Sequence, residues 1–217
     1  SPVIEGCGET CYEAERFVPL AWVEALLQQE TSFGMGGLPP ARQVLHNCLK
    51  LFGGHFLDRC CLYHLDHQNG VVDSVVPAPR GPFPFILKFV NDTEFVAESF
   101  VPLRVAPEHR PLVTALLGML NPHQKHGRYR LDPRRHLVEY QLGATVGLKE
   151  VNDPGFANFI VNYVTFLAGR VFDPLTEILY RDRSPSESLA KYKLAEAINT
   201  APGAPGVFAG VEKLKQN

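Results

Sequence analysis

The chain has 217 residues, 45% of them hydrophobic, with 21 Lys and Arg against 23 Asp and Glu, a formal charge of -2 and a pI near 6.4. That is enough apolar material for a real core, in one domain with extensions or in two small ones, and the near-balanced charge excludes a global field drawing the chain to nucleic acid or an anionic membrane. Its apolar runs, such as Phe83 to Val90 and Phe159 to Val164, are interrupted well short of the roughly 20 residues of a membrane span, so no span is expected.

Leu20, Val23, Leu26 and Leu27 take helical spacing between Pro19 and Glu30, and Phe33-Gly-Met-Gly-Gly-Leu-Pro-Pro40 ends that helix. Pro40 to Phe52 resumes the spacing through Val44, Leu45, Cys48, Leu49 and Phe52, with Gly53-Gly54 as the expected stop, which makes an N-terminal helical pair. Phe56 to His64 is expected to be a strand, with Asn69-Gly70 as the hairpin turn into Val71 to Val76. Pro77-Ala-Pro-Arg-Gly-Pro82 is turn-rich and reads as a boundary or as a strand-to-strand connection.

From Phe83 the pattern sharpens. Phe85, Leu87 and Phe89 alternate with Ile86, Lys88 and Val90, Asn91-Asp92 turns the chain, and Phe95, Ala97, Ser99, Val101, Leu103 and Val105 line one face of a partner strand. Glu98, Pro102 and Arg104 share the other face, and Pro102 implies an edge or a bulge. Ala106-Pro107-Glu108 opens a helix striped by Leu112, Val113, Leu116, Leu117 and Leu120 and closed by Asn121-Pro122. A second hairpin turns at Asp132-Pro-Arg-Arg135 between Gly127 to Asp132 and Leu137 to Leu142. Asp153-Pro154 starts a long helix carrying Phe156, Phe159, Ile160, Tyr163, Val164, Leu167 and Val171, which Asp173-Pro174 must kink or restart. Ser184 and Glu187 form a capping box for a last helix from Pro185 to about Ile198, before an Ala/Pro/Gly tail from Thr200 to Gly206. Three parts follow: an N-terminal helical extension with a candidate hairpin over 1-80, an α+β domain over 81-181, and a C-terminal helix and tail over 182-217.

Val101-Pro-Leu-Arg-Val105, the helix ending at Leu120-Asn121, Gly127-Arg-Tyr-Arg-Leu-Asp132 and Leu137-Val-Glu-Tyr140 together resemble the YbjN-type, type III secretion chaperone-like proteins, over roughly residues 83-180. The resemblance implies an antiparallel β-sheet with helices packed on one face. It also implies a binding module, homodimeric chaperone or regulator without catalytic residues, so it carries no active-site residue onto this chain. The stretch before Gly81 and the tail after Arg181 depart from that pattern.

The densest chemistry lies in His46, Cys48, His55, Cys60, Cys61, His64 and His67, with Cys7 and Cys11 upstream. His64-Leu-Asp-His67 with Cys60 or Cys61 has the ligand softness that suits zinc. Against this, no CxxC pair exists, Cys60 and Cys61 would point to opposite faces of the expected strand, and free cysteines are ordinary core residues. Lys125, His126, Arg128, Arg130, Arg134, Arg135 and His136 surround the second hairpin, either as a basic patch for phosphate or an acidic partner or as the solvated face of a hairpin, since Arg128 and Arg130 alternate with Tyr129 and Leu131. Val161, Phe166 and Phe172 form a second apolar set on the long helix, an interface or plain core. Phe33-Gly-Met-Gly-Gly37 lacks the Gly-Lys-Ser/Thr ending of a phosphate loop, and no nucleophile elbow is present.

An enzyme is therefore not expected, nor a catalytic residue, cofactor or resident metal. The expected function is a non-catalytic protein-binding or chaperone-like module acting on a protein partner or as a homodimer. The alternative is a structural or assembly subunit of a larger protein complex, with an organelle as one setting for it. A zinc protein using His64, His67 and Cys60 or Cys61 ranks below both. Five cysteines, an odd number in a chain too long to need disulfide staples, point to a reducing compartment: cytoplasm, stroma or matrix. No basic and then apolar leader opens the chain, so a secretory signal is expected to be absent or already removed.

Overall fold

Helix α1 (Pro40–Asp58) opens the region that the computed structural model describes, residues 40–192. Val44, Cys48, Leu49, Phe52 and Phe56 form its buried stripe. The helix runs through Gly53 and Gly54 instead of stopping there. Each interior glycine costs about 1 kcal/mol relative to Ala. Continuing to Phe56 buries a phenyl ring beside Phe85, centroids 5.7 Å apart, and a ring so buried contributes roughly 1.5–3 kcal/mol. Gly53 also admits the Tyr63 ring, which stands 3.4 Å from where a Cβ would lie. The stop comes at Cys60, whose φ of 54° places it in the left-handed region. Its N–H donates to the Leu57 carbonyl and that of Cys61 to Phe56, the paired bonds of a Schellman end. The strand expected over Phe56 to His64 is thus corrected: Phe56 to Asp58 finish the helix, the chain turns at Arg59 and Cys60, and only Tyr63 and His64 of that span lie in a strand, Tyr63–Asp66.

Strands β1 (Tyr63–Asp66), β2 (Val71–Ala78), β3 (Gly81–Phe89), β4 (Glu94–Arg104), β5 (Arg128–Leu131) and β6 (Leu137–Thr145) form one antiparallel sheet in the order β1-β2-β3-β4-β6-β5. The Asp66 carboxylate accepts the N–H groups of Gln68 and Asn69, and Gly70 at φ 63° completes the expected turn into β2. Pro77 to Pro82 is the strand-to-strand connection: Ala78 pairs with Gly81 across a two-residue turn, so the sheet continues unbroken from β1 through Gly81 into β3. Because β1 pairs with β2 only as far as Ser74, and β4 pairs with β3 only from Phe85, the segment from Val75 to Pro84 projects as a two-stranded ribbon. Pro102 lies on interior strand β4, at a bulge where Val101 to Leu103 stand opposite Val138 alone.

One face of the sheet is apolar but for buried Ser74 and Ser99, which flank Phe85. Phe83, Phe85, Leu87 and Phe89 of β3 are in register with Val76 and Val72 of β2 and with Ala97 and Phe95 of β4, and Tyr140, Leu142 and Ala144 of β6 extend the same face. The other face carries Asp73, Lys88, Glu98, Arg130 and Gln141. Helices cover the apolar face: α1 against β1 and β2, α2 (Arg110–Leu120) against β5, and α4 (Gly155–Arg170) against β3, β4 and β6. The fold is α+β, a six-stranded antiparallel sheet with helices packed on it. Short helix α3 (Leu148–Val151) leads into α4, and Val171 separates α4 from α5 (Phe172–Arg181), whose first turn holds Pro174.

Local chemistry fixes the second hairpin. The Asn121 side chain accepts the Tyr129 N–H at 2.7 Å and donates to the Tyr129 carbonyl at 3.1 Å, tying the end of α2 to the start of β5. A Cβ on Gly127, at φ 72°, would come 2.4 Å from the Gln141 carbonyl. The Asp132 carboxylate accepts the N–H groups of Arg134 and Arg135 in the expected turn. The capping box also forms, Ser184 N–H donating to Glu187, at the head of α6 (Pro185–Tyr192). Glu177 of α5 then holds α6 in place. Its buried carboxylate takes Lys191 at 2.7 Å, Arg181 at 2.9 Å and Arg183 at 2.8 Å, with the Tyr192 hydroxyl donating at 3.2 Å. The bond from Lys191, with the neighbouring cations, keeps Glu177 below the usual carboxylate range. The expected helix at Pro19–Glu30, the Phe33 to Gly37 loop and the tail lie outside the described residues.

Candidate functional site

Between the β2–β3 ribbon and helix α4 runs a groove of about 1010 Å³. The ribbon supplies Val76 to Arg80 and Phe83 as one wall. Asn158, Asn162, Phe166 and Arg170, spaced four apart, lie along one stripe of α4 and supply the other. Tyr192 of α6 and Asp173 of α5 close one end, where Arg80 reaches from the ribbon tip to Asp173 at 2.6 Å. That exposed pair contributes at most about 1 kcal/mol, but it fixes the ribbon tip against the helix. The lining is apolar and aromatic in its middle and charged at the end where Arg80, Arg170 and Asp173 gather; at the other end Asn158 and Asn162 line it, with Arg59 behind them.

Three arginines surround this groove. Arg59, at the end of α1, donates to the Asn162 and Asn158 side-chain carbonyls at 3.0 Å each. Arg170 lies over the Phe166 ring, 5.5 Å from its centroid. Phe166 is still 40% exposed, so the cation does not seal it from solvent. Asp173 is the one carboxylate among the described lining residues.

The second apolar set of α4 divides accordingly. Val161 is fully buried in the core, Phe172 is half-buried with its ring 6.4 Å from that of Phe83, and Phe166 faces the groove. The His and Cys residues do not converge: among the described residues no three His, Cys, Asp or Glu side chains are placed to share a metal ion. Cys48 is a core residue whose thiol burial pushes up to about 12. Cys60 is exposed and Cys61 half-buried just after α1. His64 bonds Asp73 through Nδ1 at 3.0 Å, while His67 lies beside His46, ring centroids 5.6 Å apart. Burial, with Arg59 nearby, lowers the pKa of His55. Cys7 and Cys11 lie outside the described residues.

The basic residues around the second hairpin are mostly engaged with neighbours. Arg135 pairs with Asp132 at 3.3 Å and lies over Phe100, Arg128 bonds Gln141, and Arg110 donates to His136 Nδ1 at 2.8 Å. Arg130 Nε stands 2.9 Å from Glu139 Oε1 without hydrogen-bond alignment. Glu139 is only 1% exposed, and burial, with Glu98 close by, raises its carboxyl to about 7. Two buried tyrosines lie beneath this hairpin on the helix side. The Tyr129 hydroxyl donates to the Leu167 carbonyl and that of Tyr140 to the His126 carbonyl, and burial raises both phenols.

The ribbon wall and the Arg59–Asn158–Asn162 clamp were not singled out by sequence reasoning. The available signal was the recurrence of Asn158, Asn162 and Phe166 at four-residue steps. No family model, curated protein or solved structure matches this chain.

Proposed function

We propose that this chain is a non-catalytic protein-binding module, chaperone-like in the manner of the YbjN-type and type III secretion chaperone-like proteins, and that the groove beside α4 is its grip. One observation carries the reading: a large, open, aromatic-lined groove in which a 40%-exposed phenyl ring, Phe166, stands among fixed polar groups. Apolar surface held open this way gains free energy when a polypeptide side chain covers it. A photo-crosslinking residue at Phe166 should capture a discrete protein partner in the native source, and one at exposed Val90, distant in the sheet, should not. Equal capture from both positions, or capture from neither, refutes the assignment.

A second reading, assembly subunit or homodimer, draws on the sheet face that no described helix covers. There Val75 is 48% exposed beside Pro84 and Ile86, with Leu62 87% exposed at its margin. Val75→Glu should dissociate any homodimer in light scattering while leaving capture from Phe166 intact; an unchanged mass removes this face from the interface.

A further inference from the structure

The charge around the groove defines the chemistry of its occupant. Arg80 is neutralised by Asp173. Among the described residues Arg59 is met by two neutral amides, which satisfy two of its five donors and none of its charge. Arg170 lies over a ring face, and among the described residues no carboxylate lies within ion-pair distance of it. Two arginines therefore stand at the groove without an anion among the described residues, one behind the lining residues Asn158 and Asn162 and the other, itself a lining residue, eight residues past Asn162. At 1.5 Å per helical residue the backbone rise from the Asn158–Asn162 pair that holds Arg59 to Arg170 is roughly 15 Å, the rise of about five residues in extended conformation. Between them lie Phe166 and, across the groove, Phe83 and Val76.

We propose that the groove takes an extended peptide with a carboxylate at each end of an apolar stretch of about four residues, the two acidic groups meeting Arg59 and Arg170. The inference rests on the groove being the protein-binding site and adds the class of segment it selects. Arg is suited to this task, since its planar fork pairs with carboxylates in two-pronged geometry and its weak hydration lowers the cost of docking against an aromatic ring. Asn158 and Asn162 hold Arg59 in position before the ligand arrives, which limits the entropy lost on binding.

The test uses the full chain and two labelled hexapeptides, each with four apolar residues between two Glu or between two Gln, read by fluorescence anisotropy. The Glu-ended probe should bind about tenfold more tightly at about 50 mM salt, an advantage that shrinks to about threefold or less at 0.5 M. Arg59→Gln and Arg170→Gln should each lower the preference for the Glu-ended probe about threefold, while Phe166→Ala weakens both probes about equally. Circular dichroism confirms that each variant is folded. Equal binding of the two probes, abolished by Phe166→Ala, overturns the acidic preference and leaves the groove as the binding site. Binding of the Glu-ended probe unaffected by Phe166→Ala places it elsewhere and overturns both, as does binding of neither probe.

Discussion

Replacing Glu139 by Gln should stabilise the protein, and by an amount that grows with pH. The carboxyl is 1% exposed, and burial together with Glu98 raises it from 4.5 to about 7 despite Arg130. For an acid raised on folding, the folded state is favoured where the group stays protonated. Its contribution is complete below the unfolded value near 4.5 and is lost as pH rises through about 7. The difference of about 2.5 units, at about 1.4 kcal/mol per unit, sets the cost near pH 8 at up to about 3 kcal/mol. The amide that Glu139→Gln introduces cannot ionise and escapes that cost. Urea unfolding followed by far-ultraviolet circular dichroism at several pH values between 4.5 and 8 should show the stability difference between variant and wild type widening by about 2–3 kcal/mol. Glu98→Gln should lower the Glu139 pKa and so narrow the pH dependence. A difference that stays flat across the range would falsify the view that Glu139 is held in an unfavourable charged state.

Glu177→Ala removes the anion that holds α6, so proteolytic cleavage between Arg181 and Tyr192 should accelerate at least about tenfold; an unchanged cleavage rate means α6 is held by packing alone. Because Glu177 is lowered on folding, its contribution is present above about pH 4.5 and fades as pH falls further; amide exchange in α6 should rise in acid before that in β4 does. Gly127→Ala combines a left-handed backbone with a clash against the Gln141 carbonyl, and should lower unfolding free energy by about 2–4 kcal/mol in urea titration. Phe85→Ala, at a ring stacked near Phe52 and Phe56, should cost about 3–5 kcal/mol by the same measurement. In the native protein iodoacetamide should label Cys60 rapidly and Cys48 only after unfolding; equal labelling contradicts the burial of Cys48.

What could be read from the residues was what local chemistry decides. The Asp132 turn, the Ser184–Glu187 box and the alternation in β3 each act within a few residues and have their expected form, whereas the expected helix stripe loses Leu112, which is 39% exposed, and the alternation of β4 breaks at buried Phe100 and the bulge after it. The end of α1 was misread because Gly53-Gly54 is a local stop, overridden by the burial of Phe56 against Phe85, about thirty residues further on. The alternatives at Pro77 to Pro82 were inseparable because a linker and a proline-bearing hairpin tip share one composition. Pro102 suggested an edge or a bulge and proved to mark a bulge, a distinction that requires knowing the neighbouring strand. The groove itself was illegible for the same reason. Its two walls come from residues near 80 and near 165, and the role of Asn158 and Asn162 appears only when Arg59 is brought beside them.

The ribbon wall also bears on how the protein avoids its own kind. A proline pair cannot exchange backbone hydrogen bonds, so Pro77 and Pro82 occupy a position whose N–H groups would point away from the ribbon, and by alternation so do Val75 and Pro84. Three of these four outward donors are missing because the residues are proline. A ribbon that outreaches both neighbouring strands would otherwise template the addition of further strands, and aggregation with it. Proline leaves its side chains available to a ligand while denying its backbone to another chain.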